Sequence, residues 1–386
     1  MKVKLIEVFD LQMGKTPSRN NLAYWNGTNT WVSISDLGDA NKYISKTKER
    51  ISDLGVTESG IKLVPKGTVI MSFKLSLGKT AITAEDMYTN EAIIAFIDKK
   101  IYSIDPNYIY HLFSGMNWIE GSNKAVMGIT LNKATLSQKI IDIPDMEEQR
   151  KVSRIFDKLD NLISLRKQQL AKLDELVKAR FVEMFGDPIQ NPLEWPIHQL
   201  QEYILFLTSG SRGWAQYFAN DGEYFITIKN VKKCRITLDD VQYVIPPDNA
   251  EAKRTKVEEG DLLISITADL GRTGVVTKEI ADYGAYINQH LTCIRLEKNF
   301  LHPLYVAYYM ESAAGKTQFQ LKNQNGVKAG LNFNAINSLN LMVPPLERQN
   351  CFVDFVANVE RQKLTIQQSL DKLEVLKKSL MQEYFG

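Results

Sequence analysis

The 386-residue sequence is poor in cysteine, in net charge and in long apolar runs, and each shortage excludes a class of protein. The three cysteines, Cys234, Cys293 and Cys351, are scattered without a Cys-x-x-Cys pair, which argues against a disulfide framework and a cysteine zinc site. No apolar run approaches the ~18 residues of a membrane span, and the N-terminal MKVKLIEVFDL lacks signal-peptide features. We therefore expect a cytoplasmic protein without a membrane partner.

The sequence also lacks a convincing catalytic or metal site. Three Gly-Lys-Thr triplets lack the earlier glycine of a phosphate loop, because Phe9, Phe73 and Met310 stand at that position. The histidines have neither metal-ligand spacing nor a visible triad partner. With a formal net charge of only +2, contact with nucleic acid has to come from local basic patches.

A long internal repeat is the strongest signal in the chain. Residues 140–186 and 340–386 align without a gap at an offset of 200. Both copies begin with Pro-x-x-Glu-x-Gln and end with Phe-Gly. The motif residues are Pro144, Glu147 and Gln149 in the first copy and Pro344, Glu347 and Gln349 in the second.

Each copy has the pattern of a long helix with a coiled-coil seam. Apolar residues recur at alternating steps of four and three, which indicates packing against another helix. Two matching helices in one chain favour pairing with each other, and at ~1.5 Å per residue each would be roughly 50 to 60 Å long. We therefore interpret the pair as a ruler between two other parts. The predicted seam residues are Val152, Phe156, Leu159, Ile163, Leu170, Leu173 and Val177, with Phe352, Val356, Val359, Ile366, Leu370, Leu373 and Leu380.

The rest of the chain forms two segments with a common plan. Short apolar runs such as LIEVFDL, TWVSISDL, GTVIMSF, KTAITA and NEAIIAFI predict strands of a mixed α/β domain, and a short helix is expected from Pro106. GTVIMS followed by LGKT matches GDLLIS followed by LGRT at an offset of 193. The loops between these blocks differ, which suggests two related sites that read different things.

We thus predict an α+β fold with a pseudo-twofold internal repeat. It consists of a domain over residues 1–139, a central helix over 140–186, a second domain over 187–338 and a C-terminal helix over 339–386.

This arrangement resembles the specificity (S) subunit of type I restriction-modification enzymes over essentially the whole chain. The resemblance rests on the duplicated helix start, the Phe-Gly endings, the Gly-Asp-Pro…Trp195 opening of the second half, and TSGSRGWAQY followed by FITIKN. Each motif is weak alone, but their duplicated order is specific to that family.

The resemblance implies a non-catalytic subunit with two target-recognition domains, each reading one half of a split, asymmetric sequence in double-stranded DNA. The two helices would pack antiparallel, set the gap between half-sites and dock two methyltransferase (M) subunits. Those partners would carry S-adenosylmethionine and methylate adenine, and restriction (R) subunits with ATP and Mg would complete the complex. No cofactor is expected on this chain.

Residues that contact DNA should lie on the loops that differ between the halves, because Arg, Lys, Asn, Gln and Ser side chains reach bases and phosphates. We consider Lys79 and Arg272 the best pair, since both follow a Leu-Gly turn at equivalent positions, and we expect phosphate contacts from both. The candidates are Lys15, Ser18, Arg19, Asn20, Lys74, Lys79, Asn123 and Lys124 in the first domain, and Ser211, Arg212, Trp214, Gln216, Tyr217, Lys229, Asn230, Arg272, His290, Lys322, Asn325 and Lys328 in the second.

Other interpretations stay open at the level of sequence. The chain would equally suit a methylation-only complex without a nuclease partner. It would also suit a coiled-coil scaffold whose globular domains bind proteins, or an enzyme with an unrecognised site. Trp214 has two roles available, stacking on a base or packing in the domain.

Overall fold

The computed structural model describes residues 1–39, 41–74, 76–118, 131–323 and 330–386. The chain divides into two compact units. The first comprises Met1–Gln168 and Gln367–Gly386, and the second comprises Gln169–Ile366. Each unit therefore holds one globular part and one portion of both long helices.

The first globular part is built mainly of antiparallel strands with short helices between them. Its main sheet has the strand order β2-β9-β6-β7-β4, a smaller sheet has the order β5-β3-β8, and β1 pairs with β10. A 3-10 turn spans Leu22–Tyr24. The elements are β1 Lys2–Lys4, α1 Leu5–Val8, β2 Phe9–Met13, β3 Trp25–Val32, α2 Ile34–Asp39, β4 Tyr43–Ile44, β5 Glu49–Ile51, α3 Asp53–Ser59, β6 Val69–Ser72, β7 Thr80–Thr83, β8 Tyr88–Thr89, β9 Ile93–Asp98, α4 Pro106–Gly115, α5 Lys133–Ser137, β10 Ile140–Asp142 and the long helix α6 Met146–Phe185.

The second globular part repeats this plan. Its main sheet has the order β12-β21-β18-β19 and a second sheet has the order β13-β17-β14-β20, while β11 pairs with β22 and β15 with β16. Its 3-10 turns span Leu200–Tyr203, Trp214–Tyr217 and Ile228–Asn230. The elements are β11 Ile197–Gln199, β12 Ile204–Ser209, β13 Phe218–Ala219, β14 Glu223–Ile226, β15 Val231–Lys232, β16 Arg235–Ile236, β17 Gln242–Val244, α7 Ala250–Thr255, β18 Leu262–Ser265, β19 Thr273–Val275, α8 Lys278–Tyr283, β20 Ala285–Ile287, β21 Leu291–Leu296, α9 Pro303–Glu311, α10 Ala313–Leu321, α11 Phe333–Asn337, β22 Asn340–Met342 and the long helix α12 Leu346–Phe385.

The apolar runs of the first domain are only partly strands. GTVIMSF, KTAITA and NEAIIAFI form β6, β7 and β9 as predicted. LIEVFDL instead begins as the short helix α1, where the Glu7 carboxylate accepts a hydrogen bond from the Lys4 backbone N–H at 3.0 Å, and TWVSISDL ends in the helix α2. Runs of this length are ambiguous because a buried helical turn and a buried strand have the same apolar composition.

The helix predicted from Pro106 is present and has a counterpart in the second half. Pro106 and Pro303 occupy the first turns of α4 and α9, where a missing backbone N–H leaves no helical hydrogen bond unmade. The hydroxyl groups of Tyr108 and Tyr305 then donate to the carbonyl oxygens of Asp142, at 3.1 Å, and Met342, at 3.0 Å. The Pro-x-Tyr repeat is thus a structural helix start tied to the last strand of each globular part.

In the first unit, the beginning of α6 packs against the end of α12. Phe156 stacks on Phe385 with ring centroids 5.3 Å apart and meets Tyr384 edge-on at 6.1 Å. Phe385 also contacts Tyr108 of α4 at 5.7 Å. The hydrophobic core is therefore shared between the sheet and both helices.

The second unit shows the reciprocal arrangement, in which the end of α6 packs against the beginning of α12. Phe352 lies edge-on to Phe181 at 5.3 Å and to Phe185 at 5.6 Å. Tyr305 of α9 stacks on Phe181 at 5.7 Å. Since the start of each helix packs against the end of the other, the two helices run antiparallel, and the predicted fold class is confirmed.

The seam residues face inward, and polar contacts interrupt the seam. Lys363 pairs with Asp174 and Lys377 pairs with Asp160 across the two helices, and Arg166 Nε donates to Ser369 Oγ at 3.3 Å. Pairs of this kind fix the register of a coiled coil. Among the predicted seam residues, Val152, Phe156, Leu159, Val177, Phe352, Val356, Val359 and Leu370 are buried, while Ile163, Leu170, Leu173, Ile366, Leu373 and Leu380 are half-buried.

Within the described ranges, no helix combines the length and apolar character needed to cross a membrane.

Candidate nucleic-acid interface

The turn between β6 and β7 is organised by a buried serine. The Ser72 backbone N–H donates to the Lys79 carbonyl oxygen at 2.9 Å, and the Ser72 carbonyl accepts from the Gly78 N–H at 3.0 Å. Ser72 Oγ donates to the Ser76 carbonyl and accepts from the Lys79 N–H at 3.1 Å. Gly78 has φ of 81°, a left-handed conformation that favours glycine.

The turn between β18 and β19 repeats this network in the second half. The Ser265 N–H donates to the Arg272 carbonyl at 2.9 Å, and the Gly271 N–H donates to the Ser265 carbonyl at 3.0 Å. Ser265 Oγ donates to the Asp269 carbonyl and accepts from the Arg272 N–H at 2.8 Å. Lys79 and Arg272 therefore occupy the same position of the same turn, as the matched sequence blocks predicted.

A second loop meets each turn at one end of the main sheet. The Gly14 N–H donates to the Ile93 carbonyl oxygen of β9 at 3.1 Å. The Gly210 N–H donates to the Leu291 carbonyl oxygen of β21, also at 3.1 Å. A Cβ atom at Gly14 would lie 2.0 Å from the Thr89 carbonyl oxygen, and the corresponding clash at Gly210 would be equally close. We call residues 14–20 with 73, 74 and 76–79 the first loop edge, and residues 210–217 with 266–272 and 288–290 the second loop edge.

Most cations of the first loop edge have partners within the domain. Lys15 Nζ donates to the Ser59 carbonyl at 3.1 Å, and Lys74 Nζ lies 5.3 Å from the Phe73 ring centre. Lys79 is exposed, with its ammonium against the backbone of Gly38. Ser18 and Asn20 are also exposed, whereas Asn123 and Lys124 lie outside the described residues.

Arg19 is held rigidly at the first loop edge. Its guanidinium forms a two-pronged ion pair with Glu49, with Nη2 2.9 Å from Oε2, and lies 3.8 Å above the Trp25 ring. The hydrogen bonds from Arg19 lower the pKa of the Glu49 carboxyl group. Such a group is preorganised, although part of its donor fork is already occupied.

At the second loop edge, the exposed candidates are Arg212, Gln216 and the nearby Lys229. Within the described ranges, Arg212 and Lys229 have neither an ion pair nor a side-chain hydrogen bond, so both are available to a phosphate or a base. Arg272 is half-buried and its Nε donates to Asp269 at 2.5 Å. His290 Nδ1 lies 2.6 Å from Thr267 Oγ1.

Three candidates of the second domain have structural roles. Trp214 is 3% exposed, and its ring stacks on that of Phe225 with ring centroids 5.4 Å apart. Trp214 therefore packs within the domain, and its ring has no free face on which a base could stack. Asn230 is 2% exposed, and its Oδ1 caps the turn at the Thr227 N–H at 3.0 Å. Ser211 is buried as well. The side chains of all three are therefore used within the domain.

The remaining candidates lie at the margin of the second loop edge or beyond the described ranges. Tyr217 is half-buried against Trp214 at 6.0 Å. Lys322 Nζ donates to Ser338 Oγ at 2.9 Å. Asn325 and Lys328 lie outside the described residues.

Sequence reasoning missed Arg254, which shapes the second loop edge from α7. Its Nη1 donates to Thr208 Oγ1 and, at 2.8 Å, to the Ser209 carbonyl, and its Nη2 donates to Ser211 Oγ at 3.3 Å. In sequence it sits in the charged segment EAKRTK, which reads as a solvated helix face. No local pattern distinguishes it from its charged neighbours.

The described part of the chain contains no group of three or more His, Cys, Asp or Glu side chains that would hold a metal ion. The two loop edges instead present cations and amides on hydrogen-bonded turns. Such surfaces suit contacts with phosphates and base edges.

Comparison with known proteins identifies the family of this chain. Residues 1–175 and 240–375 match the family described as type I restriction modification DNA specificity domain. The type I restriction enzyme MjaIX specificity subunit of Methanocaldococcus jannaschii is 28% identical over 251 residues, covering 60% of this chain and 57% of the relative. The EcoR124I/EcoR124II specificity subunit of Escherichia coli is 26% identical over 176 residues, covering 44% and 43%. The matches thus span about half the length of these two relatives.

Two solved structures share the fold. A chain from work on complex assembly and conformational transition of the type I R-M system superposes with a TM-score of 0.63 at 18% identity, covering 100% of this chain and 97% of the other. The type I restriction-modification S subunit from M. genitalium gives 0.58 at 12% identity, covering 100% and 96%. Because the family match covers most of the sequence, the chain belongs to the type I restriction modification DNA specificity family, which confirms the resemblance seen in its repeated motifs.

Proposed function

We propose that this chain reads a bipartite, asymmetric target in double-stranded DNA, with one globular domain on each half-site. The proposed recognition domains are residues 1–139 and 187–338. The proposed contact residues are the exposed or half-buried members of the two loop edges and their neighbours. They are Lys15, Ser18, Arg19, Asn20, Lys74 and Lys79 in the first domain and Arg212, Gln216, Tyr217, Lys229, Arg272, His290 and Lys322 in the second.

The observation that carries this proposal is one backbone design with two sets of side chains. The turns at Ser72 and Ser265 have the same hydrogen bonds, and the glycine-anchored loops beside them reach the same end of each sheet. The side chains on these frames differ. Lys79 stands at the position that Arg272 occupies in the second half, and GKTPSRN stands where the second half has GSRGWAQ. Two equivalent frames with different polar groups would read two different sequences.

The long helices would set the distance between the half-sites. Each has 40 residues, which corresponds to about 60 Å of helix. Half-sites on one face of DNA lie about one turn, ~34 Å, apart or a multiple of that. Helices of this length are sufficient for that spacing, so we propose that they act as the ruler.

Partner proteins would carry out the methylation and the restriction of DNA. We propose that the chain docks two methyltransferase (M) subunits, which bind S-adenosylmethionine, and restriction (R) subunits, which use ATP and Mg, within the cytoplasm. The family membership supports a place in a type I restriction-modification system. A methylation-only complex differs from this proposal only in lacking R.

The test is co-expression with an M subunit in a host without restriction systems, followed by single-molecule sequencing for methylated adenine. We expect one motif with two defined halves and a fixed gap. The M subunit should also be paired with a different S subunit, to show that it is competent. A stable, competent complex that yields no bipartite motif would refute the proposal.

A further inference from the structure

In both units, ion pairs join the globular part to a long helix. The segments that carry these cations lie beside equivalent strands of the two main sheets, β7 and β19. In the first unit the Lys42 carbonyl accepts from the Ile82 N–H at 2.8 Å, so Lys42 lies beside β7. In the second unit Cys234 forms a bridge with Gly274 of β19. Since β7 and β19 follow the equivalent turns, both contacts start from the same position of the repeat.

In the first unit, the contact centres on Asp157 of α6. Lys42 Nζ lies 2.5 Å from Asp157 Oδ1, and His111 Nε2 of α4 lies 2.7 Å from the same oxygen. His111 is 1% exposed, and Asp160, one turn further along α6, pairs with Lys377 of α12. The globular part is thereby connected to both helices through a partly buried network.

The second unit uses the tip of the β15–β16 hairpin. Lys233 and Cys234, the two residues between the strands, have φ of 49° and 64°. A two-residue turn with positive φ at both positions normally takes Asn-Gly, because most other side chains are strained in that conformation. Strain of this kind persists where surrounding contacts hold it, and it often marks functional positions.

Those contacts connect the hairpin to both helices. Lys233 Nζ lies 2.8 Å from Asp174 Oδ2 on α6, and Arg235 pairs with Glu360 on α12. Burial alone would raise the pKa of Asp174, but hydrogen bonds from Lys233 and Lys363 outweigh it and lower that pKa. Cys234, between the two cations, is buried in the core shared by the sheet and the helices.

We propose that these two contacts, here called the helix clamps, are positioning elements that fix the angle of each recognition domain on the helix pair. The first clamp consists of Lys42, His111 and Asp157, and the second of Lys233, Arg235, Asp174 and Glu360. They thereby determine how sharply the complex selects the gap between half-sites. This inference rests on the proposed DNA-reading function.

The physical reason is the geometry of the double helix. One additional base pair rotates the second half-site by about a tenth of a turn and moves it ~3.4 Å. A domain held firmly on the helices cannot follow that rotation, whereas a domain with a loosened attachment can. Since none of the clamp residues belongs to a loop edge, the half-site sequences should stay the same.

The experiment compares Lys42→Ala, Arg235→Ala and the control Lys278→Ala in complex with M. Lys278 pairs with Asp282 at 2.8 Å within α8, so its substitution removes a cation of the second domain without touching a long helix. Methylation is measured on plasmids that carry the wild-type halves at the normal gap and at gaps one base pair shorter and longer. We expect both clamp variants to raise the methylated share of the altered gaps, relative to the normal gap, by roughly three- to ten-fold.

The reciprocal exchange Lys42→Asp with Asp157→Lys should return gap selectivity toward the wild-type value, which a mere loss of stability would not explain. Should Arg235→Ala fail to yield a soluble complex, Arg235→Lys keeps the charge but loses the fork, and it should relax selectivity to a smaller degree. Folded clamp variants with the same gap selectivity as Lys278→Ala would overturn the inference. A wild-type complex without any bipartite motif would instead overturn the proposed function.

Discussion

Gln149 and Gln349 make the same hydrogen bonds at the starts of the two long helices. Gln149 Oε1 accepts from the Asp105 N–H at 2.9 Å, and Gln349 Oε1 accepts from the His302 N–H at 2.8 Å. Each side-chain amide also donates to two carbonyl oxygens, including that of the proline five residues earlier. Both glutamines are 0% exposed. The repeated Gln therefore locks each helix to the loop before α4 or α9.

Replacing Gln149 by Ala should destabilise the first unit by about 2 to 4 kcal/mol, because a buried backbone N–H and buried carbonyl groups lose their partners. The matched control is Gln168→Ala, since Gln168 is exposed on the same helix. Its effect should stay within about 0.5 kcal/mol. Urea unfolding followed by circular dichroism measures both. Equal midpoints for the two variants would contradict the structural role of Gln149.

Arg212→Ala should weaken DNA binding of the M-containing complex through the second half-site. A lost base contact would reduce the binding free energy by about 1 to 3 kcal/mol, and a lost phosphate contact would reduce the salt slope by about 1. Fluorescence anisotropy at several salt concentrations distinguishes the two. Lys278→Ala, in α8 and outside the loop edge of the same domain, controls for the loss of one positive charge. Unchanged affinity and sequence preference would remove Arg212 from the interface.

Removing one heptad from each long helix should shorten the gap between half-sites without changing their sequences. Deletion of residues 165–171 together with 366–372 keeps the seam in phase. It removes ~10.5 Å of helix, which corresponds to about three base pairs. Methylome sequencing of the deletion complex reports the gap directly. Altered half-sites at an unchanged gap would contradict the ruler.

The first helix clamp predicts a stability that depends on pH. Burial lowers the pKa of His111, although the nearby Asp157 opposes the shift. Below the ordinary pKa of ~6.5, the unfolded chain binds a proton that the folded chain resists, so stability falls as pH drops through that value until the lowered pKa is reached. The pKa of Asp157 is lowered as well. Its contribution to stability is therefore lost only in more acidic solution, below the ordinary pKa of a carboxyl group.

The measurement is the urea midpoint at about pH 7.5 and about pH 5.5, either side of the ordinary histidine pKa. We expect the decrease to be smaller in His111→Gln than in the wild type. Burial also lowers the pKa of His302. His302 remains in both proteins, so its share cancels in the comparison. Equal decreases in the two proteins would show that His111 does not titrate as inferred.

The amino-acid sequence by itself determined the repeat, the two long helices and their apolar seams, whereas their antiparallel packing was implied only by the family resemblance and was shown by the tertiary contacts. The gapless repeat at an offset of 200 is visible in the sequence alone. Helix periodicity depends on residues three and four positions apart, so the apolar positions predict which face of each helix packs. The equivalence of Lys79 and Arg272 was predictable for the same reason, because the Leu-Gly turn that precedes them is a local motif.

Tertiary structure alone decided which polar and aromatic side chains remain available. Trp214, Ser211 and Asn230 belong to a recognition-like loop pattern, yet packing between distant strands buries them. The helix clamps join residues that are distant in sequence, such as Lys42 with Asp157, 115 positions apart, and Arg235 with Glu360, 125 positions apart. No local pattern encodes such pairs, because their geometry depends on how the sheet docks on the helix, and burial and ion pairing are therefore settled only when the chain has folded.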